Sequence, residues 1–133
     1  MTITLLEQLV AYCVNNGVLV GDGEDAFRDY MPEIPGALVA FHEYAGDPLS
    51  PLTSTVHRSV QVKVRDTSAE AARNKALQVL QLFISESESR RVDFSDDAWG
   101  QVYVRQPPFK LQQDNSNRVT YCFNLGITTN ILE

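Results

Sequence analysis

Between Thr55 and Ser85 the chain changes its hydrophobic period once, and that change limits the folds open to it. Val56, Val60, Val62 and Val64 fall on one face, while His57, Ser59, Gln61, Lys63 and Arg65 take the other; Arg58 interrupts the apolar side. Period two over about ten residues marks a half-buried strand, and valine suits its pleated surface. Asp66 ends the alternation. Thr67-Ser68-Ala69-Glu70 then has the S/T-x-x-E form of a capping box, in which Thr67 and Glu70 satisfy each other's free amides. Beyond it Ala69, Ala72, Ala76, Leu80, Phe83 and Ile84 recur at steps of three and four, one face of a helix. A strand feeding directly into a helix is the expected centre of the fold.

The flanks supply the other layers. Thr4-Leu5-Leu6-Glu7 is a second capping box that opens a helix running to about Asn16, with Leu6, Leu9, Val10 and Cys13 as its core stripe and Gly17 as a left-handed stop. Residues 18–36 carry turn signals at Gly21-Asp22-Gly23, Pro32 and Pro35, with Phe27, Tyr30 and Met31 expected to pin the segment to the core. Ala37 to Tyr44 is apolar on both sides and reads as a covered strand. Glu86 to Asp97 reads as a polar exit with Phe94 tucked in. Trp99 to Gln106 alternates, Pro107-Pro108 is expected to break it, and Phe109 to Gln112 forms a short strand. Asp114 to Asn117 is a turn, and Arg118 to Thr128 has the cleanest alternation in the chain. The order α-β-β-α-β-β-β predicts an α+β fold: a mostly antiparallel sheet of about five strands with two helices on one face, in a single domain spanning 1–133.

Composition excludes more than it selects. The 133 residues are 44% hydrophobic and 21% charged, an ordinary globular balance. No apolar run is long enough to cross a bilayer, and the first residues lack a signal-peptide pattern, so a soluble protein made in a cytoplasm and unattached to membrane is expected. Cys13 and Cys122 are expected to be buried or half-buried free thiols. His42 and His57 stand on separate strands without metal-ligand spacing. No GxSxG elbow, phosphate loop or EF-hand pattern is present. Catalytic, metal and cofactor sites are therefore not expected. The net charge of −6 is unevenly spread: residues 1–55 hold eight acids and one base, residues 56–133 nine acids and ten bases. That balance disfavours general phosphate binding.

Taken in order, the segments resemble the small tail-completion and minor capsid proteins of long-tailed bacteriophages, the group that includes tail terminators. The resemblance rests on the Thr4-to-Leu9 helix start, on Phe27-Arg28-Asp29-Tyr30-Met31-Pro32 leading through Pro35-Gly36 to the strand at Leu38, and on the Ala45-Gly46 turn. It continues through Val60 to Asp66 with the alanine-rich helix behind, and through Pro107-Pro108-Phe109, Asp114, Arg118 and Tyr121 to Leu125. Asn115-Ser116-Asn117 departs from the glycine-containing turn that such proteins carry before the arginine. The resemblance implies a non-enzymatic virion subunit, assembled in the host cytoplasm, that forms a homo-oligomeric, hexameric ring. That ring closes the tail tube and joins it to the head at the head–tail junction, with tail-tube and head-completion proteins as partners.

In such a ring, the long loop containing Pro48, Leu49, Ser50, Pro51 and Leu52 is the candidate for contacting a neighbour. Asp22, Glu24, Asp25, Asp29 and Glu33 are candidates to line a central opening through which DNA passes without being specifically bound. Two other readings remain open on the residues alone: a small bacterial ligand-binding or regulatory α+β domain, and an enzyme whose site is assembled from dispersed residues.

Overall fold

The computed structural model describes residues 4–44, 55–85 and 87–131. Two helices, α1 (Leu5–Asn15) and α2 (Ala69–Ile84), accompany six strands: β1 (Ala26–Arg28), β2 (Leu38–Tyr44), β3 (Val56–Asp66), β4 (Ser89–Asp93), β5 (Trp99–Gln113) and β6 (Val119–Thr129). They form one sheet in the order β1-β2-β3-β6-β5-β4. The β1–β2 pair is parallel and the other four pairs are antiparallel. The fold is therefore α+β with a mixed sheet of six strands, not five.

The strand at residues 56–66 sits in the middle, paired along its length with β6 on one side and with β2 on the other. Val60, Val62 and Val64 are fully buried, as are Phe123, Leu125 and Ile127 of β6. They share one core cluster with Ala76, Val79, Leu80 and Phe83 of α2 and Leu5, Leu9 and Cys13 of α1. Removing each of the valine, leucine, isoleucine and phenylalanine side chains among them from water stabilises the fold by about 1.5–3 kcal/mol. Two helices laid as a pair on one face is too simple a picture. α2 crosses β3, β6, β5 and β4, while α1 lies against β1 and β2; Tyr12 joins the helices by stacking on Phe83 at 5.6 Å between ring centroids.

Helix ends follow local chemistry with one shift. Thr4 caps α1 by accepting the Glu7 amide at 3.2 Å, and Gly17 takes the left-handed conformation with φ 75°. For α2 the cap is Ser68, which accepts the Ala71 amide at 3.1 Å, whereas Thr67 bonds back to Asp66. The helix therefore starts one residue later than a Thr67–Glu70 box requires. Ala69 is exposed, and Val79 takes a place in the buried stripe.

Three further expectations change. β1 is a three-residue strand inside the turn-rich segment, too short for any period to appear. β4 forms where a polar exit was expected; Val92 alone of its five residues is buried, so it has no amphipathic signal. Finally, Pro107-Pro108 does not end β5. The strand runs on to Gln113 with register shifts around Gln106. β4 covers only Trp99–Tyr103, so the prolines lie on a sheet edge, where a missing N–H breaks no ladder. Arg58, the interruption in β3, places its guanidinium on Glu43 at 2.6 Å and on the Ile131 carbonyl at 2.9 Å.

Candidate functional site

The most ordered polar structure among the described residues surrounds the loop between β1 and β2. Arg65, at the end of β3, is only 6% exposed. Its guanidinium donates to four carbonyls of that loop: Pro32 at 2.5 Å, Pro35 at 2.8 Å, and Glu33 and Gly36 at 3.2 Å each. Arg118 donates to the Glu33 carbonyl at 2.5 Å, to its carboxylate at 3.1 Å and to Asp114 at 2.7 Å. A planar fork of five donors fits such a carbonyl-lined loop as a lysine does not, and hydrogen bonds from a charged donor are stronger than those between neutral groups. Burial and the neighbouring Arg118 lower the Arg65 pKa. Bonds to Asp114 and then Glu33 raise that of Arg118. For Asp114 burial works upward, but the Arg118 and Ser116 bonds prevail and hold its carboxyl below the usual range.

The clamped loop turns apolar side chains to solvent. Ile34 is 81% exposed and Tyr30 59%. Of the three residues expected to pin the segment, Phe27 and Met31 do so, packing with Leu38 and Ala40, and Tyr30 does not. Tyr30 only meets the edge of the Phe27 ring, at 5.5 Å.

The five acidic candidates all lie on this part of the chain, in different states. Asp25 is committed to structure, since its carboxylate accepts the amides of Val20 and Gly21 at 3.0–3.1 Å. Asp22 is paired with Arg28 at 2.9 Å and Glu33 with Arg118 at 3.1 Å. Glu24 and Asp29 are exposed; Asp29 sits in the left-handed region with φ 67°. The contact candidates Pro48, Leu49, Ser50, Pro51 and Leu52 lie outside the described residues. The Arg65 cage gave no sequence signal beyond its place in an alternating strand. The cluster Pro32-x-x-Pro35-Gly36, rich in carbonyls and poor in donors, was the one available hint.

Little of this arrangement suits chemistry on a small molecule. Among the described residues no group of three or more His, Cys, Asp or Glu side chains could hold a metal ion. Hollows of about 400 Å³ at Asp22, Phe27, Arg28 and Tyr30 and of about 370 Å³ along Glu7, Val10 and Val14 are wide open to solvent, whereas ligand pockets bury most of what they hold. A more enclosed cavity of about 190 Å³ lies between Leu19, Asp25, Leu38, Arg65 and Lys75. Its cations are engaged: Arg65 holds the loop and the Lys75 ammonium donates to the Val18 carbonyl. Both cysteines are free and buried; burial pushes the Cys13 thiol up to about 12, well above reactive range.

These features define a class: a small mixed-sheet α+β protein whose buried arginine holds its own backbone and which presents two exposed apolar residues, Tyr30 and Ile34, on a stiffened loop. Comparison with known families goes further. The family model described as bacteriophage tail terminator protein matches residues 14–131, and the chain belongs to that family. It is therefore a structural component of a phage virion. A search of curated proteins finds no match.

Proposed function

We propose that the protein acts as a ring-forming, hexameric subunit at the head–tail junction, closing the tail tube and meeting the head-completion proteins. The observation that carries this reading is the family match across 118 of 133 residues, from 14 to 131. The uneven charge gives the ring its chemistry. Lysine and arginine in the lumen would add phosphate contacts and retard the genome, whereas carboxylates repel it and leave the path open. Asp22 and Glu24, both exposed, are assigned to the opening. The loop holding Pro48 to Leu52 is assigned to contacts beyond the subunit core.

The test is the absolute mass of the purified protein across concentration, followed by duplex DNA binding at low salt, where electrostatic attraction is strongest. A six-subunit species with little affinity for DNA is expected. Asp22→Lys/Glu24→Lys should bind DNA in a salt-sensitive way without unfolding. Tight DNA binding by the unmodified protein would overturn the acidic-lumen assignment.

A further inference from the structure

Three of the six exposed large hydrophobic residues among the described residues, Val20, Tyr30 and Ile34, fall within one stretch of fifteen. Isolated exposed apolar residues are ordinary. Here, however, two arginines fix the backbone that presents Ile34. A loop held in one conformation loses little entropy when a partner closes on it. The segment's own charge is one-sided: residues 20–36 contain five acids (Asp22, Glu24, Asp25, Asp29 and Glu33) against Arg28, while Arg65 and Arg118 reach in from the sheet side to hold the loop carbonyls and the Glu33 carboxylate. A matching surface is apolar with a basic rim.

The chain carries such a surface itself. Beyond Tyr103 the outer edge of β5 has no strand partner among the described residues, since β4 stops there. Residues 99–113 contain two bases, Arg105 and Lys110, and no acid. Leu111 is 41% exposed and Phe109 half-buried on the same arm. Pro107 and Pro108 remove two backbone amides from this part of β5, and proline on an edge strand limits indiscriminate strand pairing and leaves recognition to side chains. β6 and its Arg118 stand between the loop and that edge within one subunit.

We propose that the loop at residues 29–36 of one subunit docks on the β5 arm at residues 105–113 of the next copy. Tyr30 and Ile34 meet Phe109 and Leu111, and Asp29 and Glu33 face Arg105 and Lys110. Two different patches meet, so the contact repeats head to tail, the kind of interface that closes a ring. This inference rests on the ring-forming reading and assigns Asp29 and Glu33 to the subunit contact, leaving Asp22 and Glu24 for the opening.

The test compares absolute mass across concentration for the wild-type chain, Ile34→Asp, a loop variant (Asp29→Asn/Glu33→Lys), an arm variant (Arg105→Glu/Lys110→Glu), and the loop and arm changes combined. Ile34 is so exposed that its replacement should leave the fold intact, asparagine tolerates the left-handed backbone at position 29, and Glu33→Lys gives up the carboxylate bond to Arg118 while the carbonyl bonds from Arg65 and Arg118 that hold the loop remain; circular dichroism and melting check all three. Each single-patch variant should assemble about tenfold or more weakly, as at a central contact residue, and the combined variant should regain assembly. A wild-type ring left unchanged by Ile34→Asp and by both charge variants overturns this contact while the ring reading stands. A wild-type chain that is monomeric at every concentration overturns the ring reading and the contact with it. A species that stops at two copies overturns head-to-tail closure.

Discussion

The two faces of the sheet hold adjacent residues of the same strands in opposite environments. On the apolar face, which packs against α2, Val60, Val62 and Val64 meet Phe41, Phe123 and Leu125, all without solvent exposure. On the other face, His42, Gln61, Asn124 and Gln106 line up across four strands. Asn124 donates to the Gln106 side chain at 3.2 Å. His42 Nε2, Ser59 Oγ and Asn124 Oδ1 are nevertheless buried without a hydrogen-bond partner among the described residues. Burying a polar atom without a partner opposes folding by about 1–3 kcal/mol. The comparison teaches that the hydrocarbon face supplies the stability, and supplies enough of it for the opposite face to carry polar chemistry that does not stabilise the monomer.

Neighbours in β3 give the sharpest way to break that comparison. Val62→Asp places a carboxylate at a fully buried position between Phe41 and Phe123 and is expected to destabilise by several kcal/mol, enough to unfold a marginal domain. Lys63→Asp, half-buried on the opposite face, should be tolerated far better. Urea midpoints measure the difference. Equal losses in the two variants would mean that the faces are not energetically distinct.

That contrast was legible in the sequence because β3, α2 and β6 are long and periodic. Their apolar residues recur often enough for period two or 3.6 to outweigh any single exception. β1 and β4 were not legible: three residues, or one buried valine in five, carry no period, and their pairing depends on neighbours far along the chain. Pro107-Pro108 misled because proline reports a missing donor, and whether that donor matters depends on a partner strand the sequence does not reveal. The acidic candidates were visible as a group. Their roles were not, because Asp25 and Glu33 are distinguished by backbone amides and by Arg118, 85 residues distant from Glu33.

A smaller effect separates the faces at Gly126. It sits in β6 opposite Ser59 and Tyr103, and a Cβ added there would lie 2.2 Å from Tyr103 Cζ. The tyrosine ring thus covers the space a side chain would take, protecting a strand glycine that otherwise packs nothing. Gly126→Ala should displace the ring and destabilise by about 1 kcal/mol. In a Tyr103→Ser background the same substitution should be neutral or stabilising, because alanine loses less backbone freedom on folding. A double-mutant cycle reads the coupling. Identical effects in both backgrounds would show that ring and glycine are independent.

The smallest expected effect belongs to His42 and appears as pH dependence. Burial lowers its pKa from the ordinary 6.5, the Lys63 charge lowers it further, and Asp29 acts in the opposite direction. The folded chain therefore holds His42 neutral at a pH where the unfolded chain has begun to protonate it. With more protons bound to the unfolded state, stability rises with pH through this window. The contribution is fully present above the unfolded pKa near 6.5 and is lost as pH falls through the lowered folded value. His42→Gln keeps a polar side chain in the row and removes the titration, so its melting temperature should fall less between pH 7 and pH 5 than that of the wild type. Carboxylates such as Asp114 add their own loss at lower pH, below the usual carboxylate range, and that limb should be common to both proteins. A wild-type chain whose stability between pH 7 and pH 5 tracks the variant without offset would mean that the polar face does not penalise charge at position 42, and that its unpartnered imidazole nitrogen is effectively solvated.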